Sequence, residues 1–214
     1  NPKLLARVRA ADLVLLIGDR MSEMPSQSYT LFDIPEPQTK LVHVHPGADE
    51  LGRVYHAHLA INASPTAFCS ALEGLQPPND IPWAGASDIA HADYLAWSDK
   101  ATPVPGDVNL GEVMVWLREN LSPDAIVTLG AGNFSAWIHR FYRVRQFGGL
   151  VGPTSGSMGY GYPAALAMKT LYPGRTVVCV AGDGDFLMTG QDFATAVHYG
   201  LPLIVVISDN GVYG

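Results

Sequence analysis

An α/β fold with a doubly wound parallel sheet is predicted by two observations: strand-like runs alternate with segments of helical length, and those runs are apolar on successive residues. Pro2 to about Leu75 reads as helix "LLARVRAA", strand "DLVLLIG", a Pro-rich loop over 25–37, strand "KLVHVHP" and helix "SPTAFCSALEGL". This is the second half of a small α/β unit. Residues 76–106 mix prolines and glycines around a short helical piece near 88–98, the composition of an interdomain connection. A second α/β series follows. Its helix "NLGEVMVWLREN" starts on the cap residue Asn109, and strand "AIVTLG" leads into a Gly-rich, aromatic stretch. Helix "YPAALAMKTLY", strand "TVVCVAG", helix "MTGQDFATAVHYG" and strand "PLIVVIS" complete it.

The 214 residues are 48% hydrophobic and 15% charged, enough for a packed core in one large domain or two small ones. A net charge of -7, with 13 Lys and Arg scattered outside any basic run, argues against a nucleic-acid surface. No stretch reaches the roughly 18 apolar residues of a membrane span, and no signal-peptide pattern opens the chain. Small-molecule or protein partners are expected. Cys69 and Cys179 read as free thiols in a reducing cytoplasm, and without a secretory signal "NAS" at 62 and "NFS" at 133 read as ordinary sequence rather than glycosylation sites. The chain opens without an initiator Met, directly into a helix, which reads as a piece of a longer protein.

The chemistry gathers at "VAGDGDFLM", residues 180–188, where Asp183 stands between Gly182 and Gly184 at the end of an apolar run. Loops after the carboxyl ends of parallel strands share one edge, where ligands bind. Asp183 follows the strand 176–181 and Asn210 the strand 203–208. If these strands are neighbours, about 4.8 Å apart, both side chains can reach one small cation. A carboxylate, an amide oxygen and a backbone carbonyl form a hard oxygen set that suits Mg²⁺ or Ca²⁺, and glycines admit phosphate oxygens close to the backbone. Taken alone, Gly-Asp-Gly is an ordinary turn. An Asp-x-Asp phosphatase motif lacks the intervening Gly182, and a calcium loop starting at Asp183 would place Ala194 where Glu is required.

The surroundings are more specific. "GDG" at 182–184, then a helix, a strand and "DNG" at 209–211, resembles the thiamine diphosphate (thiamine pyrophosphate) binding motif. "SGSMGYGYPAALA" at 155–167 resembles the segment that cradles the cofactor's pyrimidine in the acetolactate synthase and 2-oxo acid decarboxylase group. On this resemblance, residues 1–75 are the end of a Rossmann-like central domain, 76–106 a linker, and 107–214 the thiamine diphosphate-binding domain, truncated at its end. The resemblance implies that Asp183 and Asn210 ligate Mg²⁺ by side chain and Val212 by its carbonyl, with Gly182 flanking and Gly184 and Asp185 giving backbone contacts to phosphate. It also implies that Met158 props the cofactor into a V shape, within the cofactor-binding run Gly156, Ser157, Met158. There the Gly156 carbonyl and the Met158 amide hold the pyrimidine.

Two departures follow. The family's usual pair of Asn is Asp209 then Asn210 here, which leaves the expected ligand in place. "HVHPGADELG" puts His45 where flavin-containing relatives tend to carry an acid, which argues against FAD. His43, His45 and His198 read as structural or surface residues, and "AWIHRFYRVRQ" at 136–146 as a solvated or subunit-facing helix. The implied chemistry is decarboxylation of a 2-oxo acid with the released electrons stored on the cofactor's thiazolium ring, followed by transfer to an acceptor. The activating acid belongs to a separate N-terminal domain of the partner subunit, so no catalytic residue is expected in these 214 residues, and the chain alone is expected to be inactive. The parent is expected to be a cytoplasmic homodimer or homotetramer. Rival readings are a decarboxylase, oxidase or acyl-CoA lyase on the same scaffold, or a non-catalytic cofactor-binding relative.

Overall fold

In the computed structural model, which describes residues 1–211, the chain divides into two compact units, Asn1–Tyr94 and Leu95–Gly214. The division falls inside the stretch 76–106 and within a helix there.

The first unit runs α1 (Pro2–Arg9), β1 (Leu13–Ile17), β2 (Lys40–His45), β3 (Leu59–Asn62), α2 (Pro65–Leu72) and the start of α3 (Ala86–Ser98). Its three strands are parallel in the order β1-β2-β3. The helix starts are fixed by local chemistry. Asn1 accepts from the amides of Lys3 and Leu4, and the Ser64 hydroxyl accepts from Ala67 N–H, each with a proline in the first turn. Strand β3, "LAIN", was not expected from the sequence, because it is short and its residues are mostly exposed. Coverage on both faces was expected of β1, but Leu13, Leu15 and Ile17 are exposed while Val14 and Leu16 pack with Leu41, Phe32 and Tyr55.

The second unit continues with α4 (Leu110–Asn120), β4 (Ile126–Leu129), α5 (Ser135–Phe141), β5 (Leu150–Val151), α6 (Gly161–Leu171), β6 (Val177–Gly182), α7 (Asp183–Leu187), α8 (Phe193–His198) and β7 (Ile204–Ser208). All four strands are parallel in the order β5-β4-β6-β7, and helices cover both faces, as the predicted doubly wound sheet requires. On one face Val127, Leu129, Val178 and Val180 pack against Met114 and Leu117 of α4 and Ile138 and Phe141 of α5. On the other, Ile126, Cys179 and Ala181 meet Tyr162, Ala165 and Leu166 of α6 and Ala196 of α8. Alternate residues of a strand therefore serve opposite cores, and β4 and β6 have no polar face.

Asn109 caps α4 as expected, accepting from Gly111 N–H at 3.0 Å. Other boundaries moved. The helix expected from 188 begins at Asp183, directly after the Gly182 cap, and a 3-10 turn at Gly190–Asp192 divides it from α8. The stretch 136–146 is helical only to Phe141, and its arginines make contacts within their own unit while Arg145 stays exposed. Arg140 stacks over Trp97 at 3.5 Å from the ring centroid, Arg143 pairs with Asp99 at 3.1 Å, and Arg145 donates to the Leu121 and Arg118 carbonyls at the end of α4. Among the described residues, no helix is long and apolar enough to cross a membrane.

Burial pushes the Cys179 thiol up to about 11, while Cys69 is exposed. Near pH 8 the thiolate fraction of Cys179 is then on the order of one in a thousand. Iodoacetamide should therefore label Cys69 in the native protein and reach Cys179 only after denaturation. Peptide mass mapping checks this, and early modification of Cys179 would contradict the packing described.

Candidate active site

The strand order sets where a site can form. From β4 the chain crosses to β5 on one side and then returns to β6 on the other, so the connections leaving β4 and β6 diverge at their carboxyl ends. Such a reversal opens a crevice in a doubly wound sheet. A cavity of about 340 Å³ lies there. Its walls are the turn Ala131–Phe134 after β4, Met158 from the loop after β5, Gly182–Asp185 after β6, and Ser208 and Asn210 at the end of β7. Leu110 and Trp137 add apolar surface from α4 and α5.

Strands β6 and β7 are parallel neighbours with Gly182 opposite Ser208, and Asp183 and Asn210 both line this cavity. The residues expected at the cofactor divide three ways. Met158, Gly182, Asp183, Gly184, Asp185 and Asn210 line the cavity; Gly156 and Ser157 belong to the adjoining loop but not to the lining; Val212 lies outside the described residues. Gly156 has φ +65° with open space where a Cβ would stand, and the Ser155 and Ser157 hydroxyls are 3.0 Å apart. Asp209, the departure from the usual Asn pair, accepts from Gly211 N–H at 2.8 Å and so serves its own turn.

Asp185 has a role that the sequence reading did not include. Backbone contact with phosphate was expected of it, and in addition the residue, only 3% exposed, uses its side chain to hold two loops. Its Oδ1 accepts from Gly159 N–H at 2.7 Å and from Ala131 N–H at 3.2 Å, which joins the loops after β4 and β5 to α7. Burial raises its carboxyl above the usual carboxylate range, and the two amides pull it back down. Hydrogen bonds to a charged acceptor contribute about 1.5–3 kcal/mol each, which offsets part of the cost of burying the group.

Backbone proximity makes room for this arrangement. A Cβ on Gly130 would overlap the Asp185 carboxylate. A Cβ on Gly161 would come within 2.8 Å of Gly130 N, and the Thr128 hydroxyl donates to the Gly161 carbonyl at 2.8 Å, so α6 starts in contact with the end of β4. The lining residues Asn133, Phe134 and Trp137 were not singled out as site residues in the sequence. The available signal was the glycine-rich "GAGNF" directly after an apolar strand, the same pattern that drew attention to "GDG". Among the described residues there is no group of three or more His, Cys, Asp or Glu that could hold a metal.

Comparison with known proteins bears on this geometry. Residues 130–214 match the model "Thiamine pyrophosphate enzyme, C-terminal TPP binding domain", and residues 1–72 match "Thiamine pyrophosphate enzyme, central domain". An acetolactate synthase large subunit of Parasynechococcus marenigrum is 29% identical over 212 residues, covering 95% of this chain and 33% of the relative. The acetolactate synthase isozyme 2 large subunit of Escherichia coli is 27% identical over 205 residues, covering 95% and 36%. The chain thus spans about a third of the length of the curated relatives it matches. A solved structure, the Rhodococcus jostii RHA1 thiamine diphosphate-dependent 4-hydroxybenzoylformate decarboxylase, shares the fold with a TM-score of 0.71 at 22% identity, over all of this chain and 38% of that one.

The close packing is testable. Gly130→Ala should lower stability by roughly 1–3 kcal/mol or more, because the buried Asp185 side chain has nowhere to retreat. Gly174→Ala, where an added Cβ meets nothing within 4 Å, should stay within about 0.5 kcal/mol. Thermal melts of the two variants should separate clearly, and equal midpoints would refute the proposed overlap.

Proposed function

Since this chain belongs to the thiamine pyrophosphate enzyme family, we propose that it forms the cofactor-holding part of an acetolactate synthase-like enzyme that acts on 2-oxo acids with thiamine diphosphate and Mg²⁺. One observation carries the reading. Asp183 and Asn210, at the ends of adjacent parallel strands, line the same cavity as Met158.

The residues present fit the group. Asp183 and Asn210 would supply a carboxylate and an amide oxygen to Mg²⁺, with the Val212 carbonyl as a third, a donor set suited to a hard cation. Gly182 and Gly184 present backbone without side-chain cover to phosphate oxygens, and a Cβ on Gly182 would already press the Phe134 ring at 3.2 Å. Met158, 40% exposed, stands into the cavity as the prop, while Leu110, Phe134 and Trp137 provide an apolar wall that limits water. Gly156 and Ser157, beside Met158, are assigned to the pyrimidine end. When bound, the cofactor's thiazolium ring supplies an electron sink for decarboxylation of a 2-oxo acid. The chain's part is to hold and orient it.

In the same reading, residues 1–75 end the central domain, 76–106 connect, and 107–214 form the cofactor domain, and the acid that activates the pyrimidine belongs to another part of the full protein. Residues 1–214 by themselves would then bind without turnover. The relatives' names favour carboligation over simple decarboxylation. A homo-oligomer in a reducing cytoplasm is proposed, supported by the exposed Phe193 and Val197, four apart on α8, and by two free cysteines.

With the full-length protein, Asp183→Ala should weaken Mg²⁺-dependent thiamine diphosphate binding by roughly a hundredfold or more, measured calorimetrically. Unchanged affinity would remove Asp183 as a ligand. Incubated with pyruvate, the intact enzyme should release CO₂ and form a carboligation product. Accumulation of acetaldehyde instead would favour the decarboxylase reading.

A further inference from the structure

Gly159 occupies an unusual position in the loop after β5. Its φ of +81° is one that side chains rarely adopt, and a Cβ there would come within 2.8 Å of Met188 Cβ. Both of its backbone polar groups are captured by side chains of a single downstream segment. Its N–H donates to Asp185 Oδ1 at 2.7 Å, and its carbonyl accepts from the Thr189 hydroxyl at 2.9 Å. The N–H belongs to the peptide that joins Gly159 to Met158.

We propose that Asp185, acting with Thr189, is a positioning residue: the pair grips Gly159 and thereby fixes how far Met158 stands into the cavity. The inference rests on the reading of the cavity as a thiamine diphosphate site. Asp185 is two residues from Asp183 on the same short helix, and Thr189 follows that helix directly. The segment that presents the cation ligand therefore also holds the prop. A ligand pinned through its diphosphate at one end and bent over Met158 at the other needs those two points at a set separation, and small errors in such spacing are costly. Asp185 Oδ1 also accepts from Ala131 N–H at 3.2 Å, which brings the third wall of the cavity into the same frame. Asp185 acts through Met158 and is not assigned contact with substrate.

The test uses the full-length protein, thiamine diphosphate with Mg²⁺, calorimetric affinity, and the quenching of Trp137 fluorescence identified by comparison with Trp137→Phe. Asp185→Ala should weaken binding by about tenfold or more, while Asp185→Asn, whose amide oxygen accepts the same two N–H groups, should stay within about threefold. Thr189→Val should weaken binding and Thr189→Ser restore it, and the Asp185→Ala, Thr189→Val double variant should lose less than the sum of the two, because both act on one residue, Gly159, through the peptides on either side of it. If Asp185→Ala fails to fold, the Thr189 pair decides. Wild-type-like affinity in both Asp185→Ala and Thr189→Val, with binding lost in Asp183→Ala, would overturn the positioning role and leave the site reading standing. Wild-type-like affinity in Asp183→Ala would overturn the site reading and this inference together.

Discussion

The pairing of β4 with β6 governs the second unit, because these strands are adjacent in the sheet although β5 and α6 lie between them in the chain. That pairing requires the chain to leave β4 in one direction and return on the other side. The divergence keeps helices from covering the carboxyl edge at that point, so the cavity is a consequence of strand order. It also explains why β4 and β6 tolerate no polar face. Helices pack on both sides of this pair, and every residue of β4 is buried. The first unit is under less demand: its β1 buries one side while alternate residues remain exposed, and the polar side chains there are used locally. His43 donates to the Asp19 carbonyl at 2.9 Å and His45 accepts from Gly47 N–H at 3.0 Å, both loop-fastening roles.

Much of this was legible in the sequence, for definable reasons. The longer strands are apolar on successive residues, and five of them could be placed to within a residue or so, although β1 keeps one face open despite that pattern. Asp183 and Asn210 could be paired because each follows such a strand immediately, so their positions depend on the sheet rather than on loop conformation. β3 and β5 escaped because they are short and carry no periodic signal. The contacts of the arginines of 140–145 were hidden because a run of basic and aromatic residues looks the same whether it faces water or also folds back onto carbonyls and a Trp97 ring. Only tertiary placement separates the two.

Asp185 has the side-chain role that the sequence hides best. In the sequence it is one of two acids in "GDGD", and nothing local distinguishes it from Asp183. Folding separates them because residues two apart on a helix are about 200° apart around its axis. Asp183 remains partly accessible at the cavity, whereas Asp185 is carried beneath the loops after β4 and β5, where two amides await an acceptor. A carboxylate buried without those donors would be strongly unfavourable, and the two N–H groups, buried without it, would be left unpaired. Each side of the contact makes the other possible. The dependence spans residues 131, 159 and 185, beyond the reach of any local pattern.

The glycines complete this logic. Three loops can converge on one carboxylate only if backbone meets backbone, and Gly130, Gly159 and Gly161 stand at the points where a single added carbon would force them apart. Side chains would widen the floor of the cavity and separate the amides from Asp185. With glycine there, the two acids are divided: Asp185 holds the loops, and Asp183 stays at the cavity with Asn210 and Ser208. That division lies within "GDGD": a single helical turn carries both the acid that joins the loops and an acid that lines the cavity.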